Sequence, residues 1–237
     1  MSESLFAVGA LGLFTLMVLG MFGGFIALVV FIVRHAAEVE RRRRQLLQQF
    51  ASSRGLVFTP GLTTLSPEVQ RFKLFDQGRG RQVTNALRGE VKGHAVGLVD
   101  FRYTTGSHRH STTHRQTVCA VRVVGAALPH VYVRRQLAFF DGLGRLLGGQ
   151  DFDFPEDPGF SAAFVAQTSG AESELRRLLA PQVRARLLAL APHSPQVEVQ
   201  GEYVLLHFGE LLDGPQLEGL VDTTVGLAQL LAAERSG

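Results

Sequence analysis

A single cysteine, Cys119, stands in a chain of 237 residues. One thiol excludes an internal disulfide framework and any cysteine-based zinc site built within one chain. Charge is missing from a whole segment, since no Asp, Glu, Lys or Arg lies between Glu3 and Arg34. The residues ahead of that segment, Met1-Ser-Glu-Ser, carry no basic residue, and no A-x-A-like site follows it. A cleaved secretory signal needs both features, so the segment reads as an uncleaved anchor. Catalytic signatures are missing as well. No G-x-S-x-G elbow positions a nucleophilic serine. Gly142-Leu-Gly144 with Gly148-Gly149 lacks the Lys-Ser/Thr pair of a phosphate loop and reads as a flexible helix end. Asp151, Asp153, Glu156 and Asp157 lack the glycine at position six and the glutamate at position twelve of a calcium loop, with Pro155 in a ligand position, and read as a linker turn. Phe101 and Tyr103 belong to no RNA-binding signature, so nucleic acid is not an expected partner. No cofactor is implied.

The apolar residues that are present explain a mean hydropathy of +0.13, high for a wholly soluble protein. Leu5 to Val33 is almost entirely Leu, Val, Phe, Ile, Ala, Met and Gly. As a helix it is roughly 43 Å long against a hydrocarbon core of about 30 Å. Residues 1–33 are therefore expected to be a transmembrane anchor. Within it Gly20 and Gly24 form a G-x-x-x-G step, a spacing that lets two membrane helices pack closely, so a homo-oligomer is one expected state.

Residues 34–54 carry six Arg and two Glu with no Gly or Pro, so the helix is expected to continue as a basic juxtamembrane segment and to stop at Gly55. Glu38 with Arg42 and Glu40 with Arg44 are i,i+4 pairs in the favourable order. Val39, Leu46, Leu47 and Phe50 form an apolar stripe. Five arginines flank the C-terminal side of the span by Arg44 and none flanks the N-terminal side, which places the N-terminus outside and the C-terminal part in the cytoplasm. Arg41, Arg42, Arg43 and Arg44 are topology determinants on this count, and candidate contacts to anionic lipid headgroups.

Residues 55–237 read as a cytoplasmic α+β domain. Leu56 to Thr59 is a short strand ended by Pro60-Gly61, and Ser66-Pro67-Glu68 opens a short helix to Phe72. Gln82–Arg88, His94–Tyr103, Arg115–Val124 and His130–Arg134 are rich in Val, Phe, Tyr and Thr with glycine breaks between them, the pattern of an antiparallel β-meander. Helices dominate the rest. Ser169-Gly-Ala-Glu172 is a capping box for a helix to Ala180, and Pro181 opens another to Leu190. A hairpin turns at Gln200-Gly201, and Asp213-Gly-Pro-Gln216 caps a closing helix whose Leu217, Leu220, Val221, Thr224, Leu227, Ala228 and Leu231 share a face. From residue 55 on, 18 basic residues balance 18 acidic ones, but residues 71–135 carry 12 basic against 3 acidic while residues 136–237 carry 6 against 14. Such a division fits packing of complementary halves or a basic sheet facing a negative surface.

His108, His110 and His114 project toward one side of a hairpin and are the candidate metal ligands, although no carboxylate lies nearby to complete the set and a solvated loop is the plainer reading. Cys119 is expected to be a buried inert thiol, and His94, His130 and His207 structural histidines in strands.

The stretch Asn85-Ala-Leu-Arg-Gly-Glu, then Val99-Asp-Phe-Arg-Tyr103, the Gly-Ser-His hairpin, Gln116-Thr-Val118 and Leu128-Pro129 resembles a group of uncharacterised bacterial membrane proteins in which a short transmembrane segment precedes a cytoplasmic α+β domain. The resemblance implies an architecture and no activity. Together these readings predict a single-pass protein of the bacterial inner membrane, more a binding or scaffold protein than an enzyme, whose cytoplasmic domain meets a partner protein, a second copy or anionic lipid. The alternative is a membrane-tethered, metal-dependent enzyme using the histidine hairpin.

Overall fold

A computed structural model of the chain describes residues 2–107, 110–136 and 150–236, with side chains described for 20–107, 110–136 and 151–233. It is α+β, as the residue patterns predict. The first helix, α1, runs Ser2–Arg54. It stops where predicted, because Gly55 takes φ +67° and lets Leu56 N–H reach back to Ala51 O at 2.9 Å, a Schellman closure. Residues 1–45 form one compact unit and residues 46–237 another. In the first, the predicted ion pairs form, with Arg42 Nε on Glu38 and Arg44 Nε on Glu40, both at 3.0 Å.

The second unit is built on a nine-stranded antiparallel sheet. Its elements in chain order are β1 (Val57–Leu62), α2 (Pro67–Gln70), α3 (Lys73–Asp76), β2 (Arg79–Val91), β3 (His94–Thr105), β4 (Thr112–Arg122), β5 (Leu128–Arg135) and β6 (Gln150–Phe152). After these come α4 (Pro158–Ala163), β7 (Phe164–Thr168), α5 (Glu172–Leu178), α6 (Pro181–Leu190), β8 (Gln196–Gly201), β9 (Tyr203–His207) and α7 (Gly214–Ser236). The sheet order is β1-β2-β3-β4-β9-β8-β5-β7-β6. Three of the four predicted meander strands are neighbours. The fourth, β5, is separated from β4 by the β8–β9 hairpin, which pairs with β4 at Val121↔Val204 and with β5 at Val131↔Val199.

Several turns differ from their predicted form for local reasons. Pro60-Gly61 does not end β1. It lies in an irregularity of the pairing between Thr59 and Leu62, on the sheet edge where a proline removes no ladder bond. Opposite it, β2 is irregular between Thr84 and Leu87, and Asn85 there takes φ +56°. Its side chain serves both neighbours, accepting from Gly61 N at 3.2 Å and donating to Asp100 Oδ2 at 3.2 Å. Asp100 also accepts from Thr117 Oγ1, which in turn accepts from Leu212 N. This buried network ties β1 to β4 and to the loop before α7. The turn between β2 and β3 is only Lys92-Gly93, both at positive φ, as a type I′ hairpin requires. Ser169 does not cap α5; the capping position is Ala171, with no side-chain bond. Behind α7, Gln216 Oε1 accepts from Asp213 N as the predicted cap requires.

One face of the sheet is sealed. Leu217, Leu220, Val221, Val225, Leu227, Ala228 and Leu231 of α7 are almost wholly buried against Cys119, Val121, Val204 and Leu206. α4, α5 and α6 and the last turns of α1, through Leu47, Phe50 and Ala51, complete this core. The acidic cluster predicted as a linker turn stands in β6 and ahead of α4, with Asp151, Asp153 and Glu156 exposed and Asp157 half-buried. Asp151 stands in β6 and accepts from Gln167 Nε2, Asp157 caps α4, and buried Arg184 donates to Asp157 Oδ2 at 2.9 Å and to Leu179 O at 2.8 Å. The Arg184 guanidinium holds the Asp157 carboxyl below its usual range.

Candidate functional site

Among the described residues, the helices on the other face of the sheet are α2 and α3, four residues each, which cross it as a strap. Ser66 Oγ caps α2 at Val69 N, and Pro67 takes its first position, so the strap starts at a fixed place. Phe72, Leu74 and Phe75 press on Phe101 and Val118. The ring of Phe75 meets Phe101 edge-on at 4.9 Å, and Phe101, Tyr103 and His114 stack in series.

On one side of the strap lies a groove of about 540 Å³. Leu65 and Val69 form its wall, and its floor is sheet without bulky side chains, at Gly97, Ala95 and Ala120. Arg88, opposite Gly97 in the pairing, lines one end and donates through Nη2 to Thr64 O at 2.9 Å. Arg122 and Tyr203 line the other end. There the Arg122 guanidinium sits on Glu202 at 2.6 Å, which lowers the pKa of the carboxyl and raises that of the arginine. The lining is mostly aliphatic, so its chemistry is that of a binding surface for an apolar group.

On the other side of the strap the open face is polar. Glu198, 1% exposed, accepts from Lys73 N at 2.8 Å, from Leu74 N at 3.4 Å and from His130 Nε2 at 2.7 Å. Its carboxylate thus satisfies the two leading N–H groups of α3, which has no cap of its own. Tyr132 donates to Gln196 Oε1 at 2.8 Å, and burial raises the pKa of its phenol. His207 is 2% exposed with its Nδ1 unpaired, and burial pushes its pKa down to about 3, so it is neutral across the physiological range. Cys119, on the sealed side, is wholly buried with its thiol pushed up to about 12, matching the expected inert thiol.

Ser169 Oγ lies 3.4 Å from His130 Nδ1, so a serine, a histidine and a glutamate fall in a row that spacing along the chain does not reveal. Glu198 is already engaged by two backbone donors. Its role is to latch α3 to the sheet.

Of the residues singled out from the sequence, His108 lies outside the described residues, as do Gly142, Gly144, Gly148 and Gly149. His114 is stacked on Tyr103 and bonded to Thr105 Oγ1 at 2.8 Å, while His110 is exposed. Among the described residues no three His, Cys, Asp or Glu side chains gather as a metal site. Arg41 pairs with Glu38 at 3.5 Å, and Arg42 and Arg44 make the pairs described above; Arg41, Arg42 and Arg44 are exposed and Arg43 half-buried. Gly20 and Gly24 face open space. The groove escaped sequence reasoning, although a glycine in the middle of a long strand, Gly97, was a signal for it.

No known protein family matches the chain, and no curated protein does. Among solved structures, the mycobacterial trehalose monomycolate transport factor A, TtfA, is similar in fold, covering 81% of this chain and 93% of that one with a TM-score of 0.52 at 12% sequence identity.

Proposed function

We propose that the chain is a membrane-anchored, non-catalytic binding protein, single-pass in a bacterial inner membrane, with its N-terminus outside and its sheet domain in the cytoplasm. The observation that carries this reading is in α1. Its segment Gly20–Arg54 is long and apolar enough to cross a membrane, and its apolar side chains, Phe22 and Phe25 among them, are exposed to whatever surrounds the helix. In water such a surface is costly, and in lipid it is the expected one. The arginine run that follows fixes orientation and lies where anionic headgroups would meet Arg41, Arg42, Arg43 and Arg44. Gly20 and Gly24 offer a packing face to a second copy. The uncharacterised bacterial membrane proteins that the sequence resembles have this plan. TtfA, named as a trehalose monomycolate transport factor, shares the fold and is compatible with a binding role rather than a chemical one.

The buried Cys119 makes the test clean. Full-length protein in cells should resist carbonate extraction. A cysteine placed at Ser4 should react with a membrane-impermeant maleimide in intact spheroplasts, and one placed at Ser236 only after lysis. The opposite pattern would reverse the topology, and carbonate release would remove the anchor. Purified protein should not react with a fluorophosphonate probe; labelling of Ser169 would overturn the non-catalytic reading.

A further inference from the structure

Gly97 is a glycine that neither backbone nor packing requires. It sits in the interior of β3, between two paired strands, where a glycine weakens a sheet. Its φ lies outside the left-handed region, and a Cβ added to it would meet nothing within 4 Å. The space above it is the groove. Across the strands the groove floor runs from Arg88 over Gly97 to Ala120, a width of about 10 Å at about 4.8 Å per strand step, and ends at Leu205, which is 1% exposed and packed in the core under the strap. The volume of about 540 Å³ falls within the roughly 300–1,000 Å³ of small-molecule clefts.

Two features narrow the ligand. The walls and floor are mostly aliphatic, with Leu65, Val69, Val99 and Val118 beside Gly97 and Ala120, and of the two lining rings Phe75 is packed edge-on against Phe101 while Tyr203 stands at the far end. The two groove arginines also differ. Arg122 is neutralised by Glu202, whereas Arg88 bonds only to the neutral carbonyl of Thr64, with no carboxylate at ion-pair distance among the described residues. Arg88 belongs to the half of the domain that carries 12 basic residues against 3 acidic.

We propose that this groove binds a long-chain carboxylic acid, with the alkyl chain laid over Gly97 and Ala120 and the carboxylate paired with Arg88. A guanidinium fork matches a carboxylate in shape and charge. The assignment rests on the binding-protein reading but not on the topology of the anchor.

The test uses the full-length chain in phosphatidylcholine nanodiscs with a palmitate analogue carrying a diazirine on its chain, and maps adducts by mass spectrometry after irradiation. Adducts are expected on residues 64–75 or 95–122, competed by palmitate and not by hexadecanol. Gly97→Leu and Ala120→Leu should each abolish them while the thermal midpoint is held. Arg88→Glu should lower them by about tenfold and Arg88→Lys by much less, the pattern of a charge contact. Adducts confined to residues 5–33, or equal yields in both leucine variants, would overturn the proposal. Stronger competition by phosphatidic acid than by palmitate would overturn the carboxylate assignment. Carbonate-resistant membrane retention without groove adducts would sink the ligand alone and leave the anchored-protein reading standing.

Discussion

The two faces of the sheet are covered in opposite ways. The sealed face lies under α7, with α4, α5, α6 and the end of α1 beside it, and its contacting residues are apolar and mostly buried. The open face is crossed by a strap of two four-residue helices, and beside it leaves a groove on one flank and a polar row on the other. Stability of the domain therefore resides on the sealed face, and recognition is free to develop on the open one. Leu220 is wholly buried at the centre of α7, so Leu220→Ala leaves a cavity that the helix cannot collapse around. A loss of about 2–5 kcal/mol is expected, measured by chemical unfolding of the full chain in detergent. A smaller loss there than from any strap substitution would break the comparison.

The polar flank supplies the next largest effect, through pH. His207 stays unprotonated in the folded domain down to about 3, whereas in the unfolded chain it takes up a proton near its ordinary value of 6.5. Only the unfolded state gains that proton as the pH falls below 6.5, so folding stability decreases across the window from 6.5 to about 3. Between pH 7 and pH 5 the loss should be about 2 kcal/mol, and His207→Gln should remove most of that slope. An unchanged slope in the variant would show that another group on the open face carries it. On the strap itself, Val69→Ala removes two methyl groups from a side chain that is 8% exposed, and about 1–2 kcal/mol is expected by the same unfolding assay, less than for Leu220.

Legibility in the sequence divides along similar lines. Features set by neighbours in the chain were readable. The face of α7 from Leu217 to Leu231 follows from helical spacing, the stop at Gly55 from its freedom at positive φ, and the β8–β9 hairpin from its flanking Val and Leu residues. Features set by distant partners were not. Nothing near β4 says that β9 rather than β5 will pair with it. β6 is three residues long, and β7, Phe164–Thr168, sits directly behind α4 with no turn signal between them. Ser169 has the spacing of a cap, but its hydroxyl turns toward His130 instead. The polar row of Glu198, His130 and Tyr132 is assembled from strands that alternate one residue in and one out, so each of its members looks alone in the sequence.

Two glycines on adjacent strands sharpen the contrast at its smallest scale. Gly89 of β2 pairs with Val96 and Gly97 of β3 with Arg88, so they are near neighbours that point to opposite faces. A Cβ on Gly89 would lie 2.7 Å from Leu56 Cδ2 and 3.4 Å from Leu56 Cα, inside the sealed core. A Cβ on Gly97 would meet nothing. Neither residue has a positive φ, so alanine at either place keeps the backbone and changes only the contacts. Gly89→Ala should destabilise by about 1 kcal/mol, since the Leu56 side chain must shift in a filled space. Gly97→Ala should stabilise by about 0.5–1 kcal/mol, because alanine loses less conformational freedom than glycine when a strand forms and no neighbour resists it. Opposite signs from one substitution on paired strands would mean that the open face holds its empty space at a cost in stability. Equal signs would mean that the strap closes over the groove and packs it as the sealed face is packed.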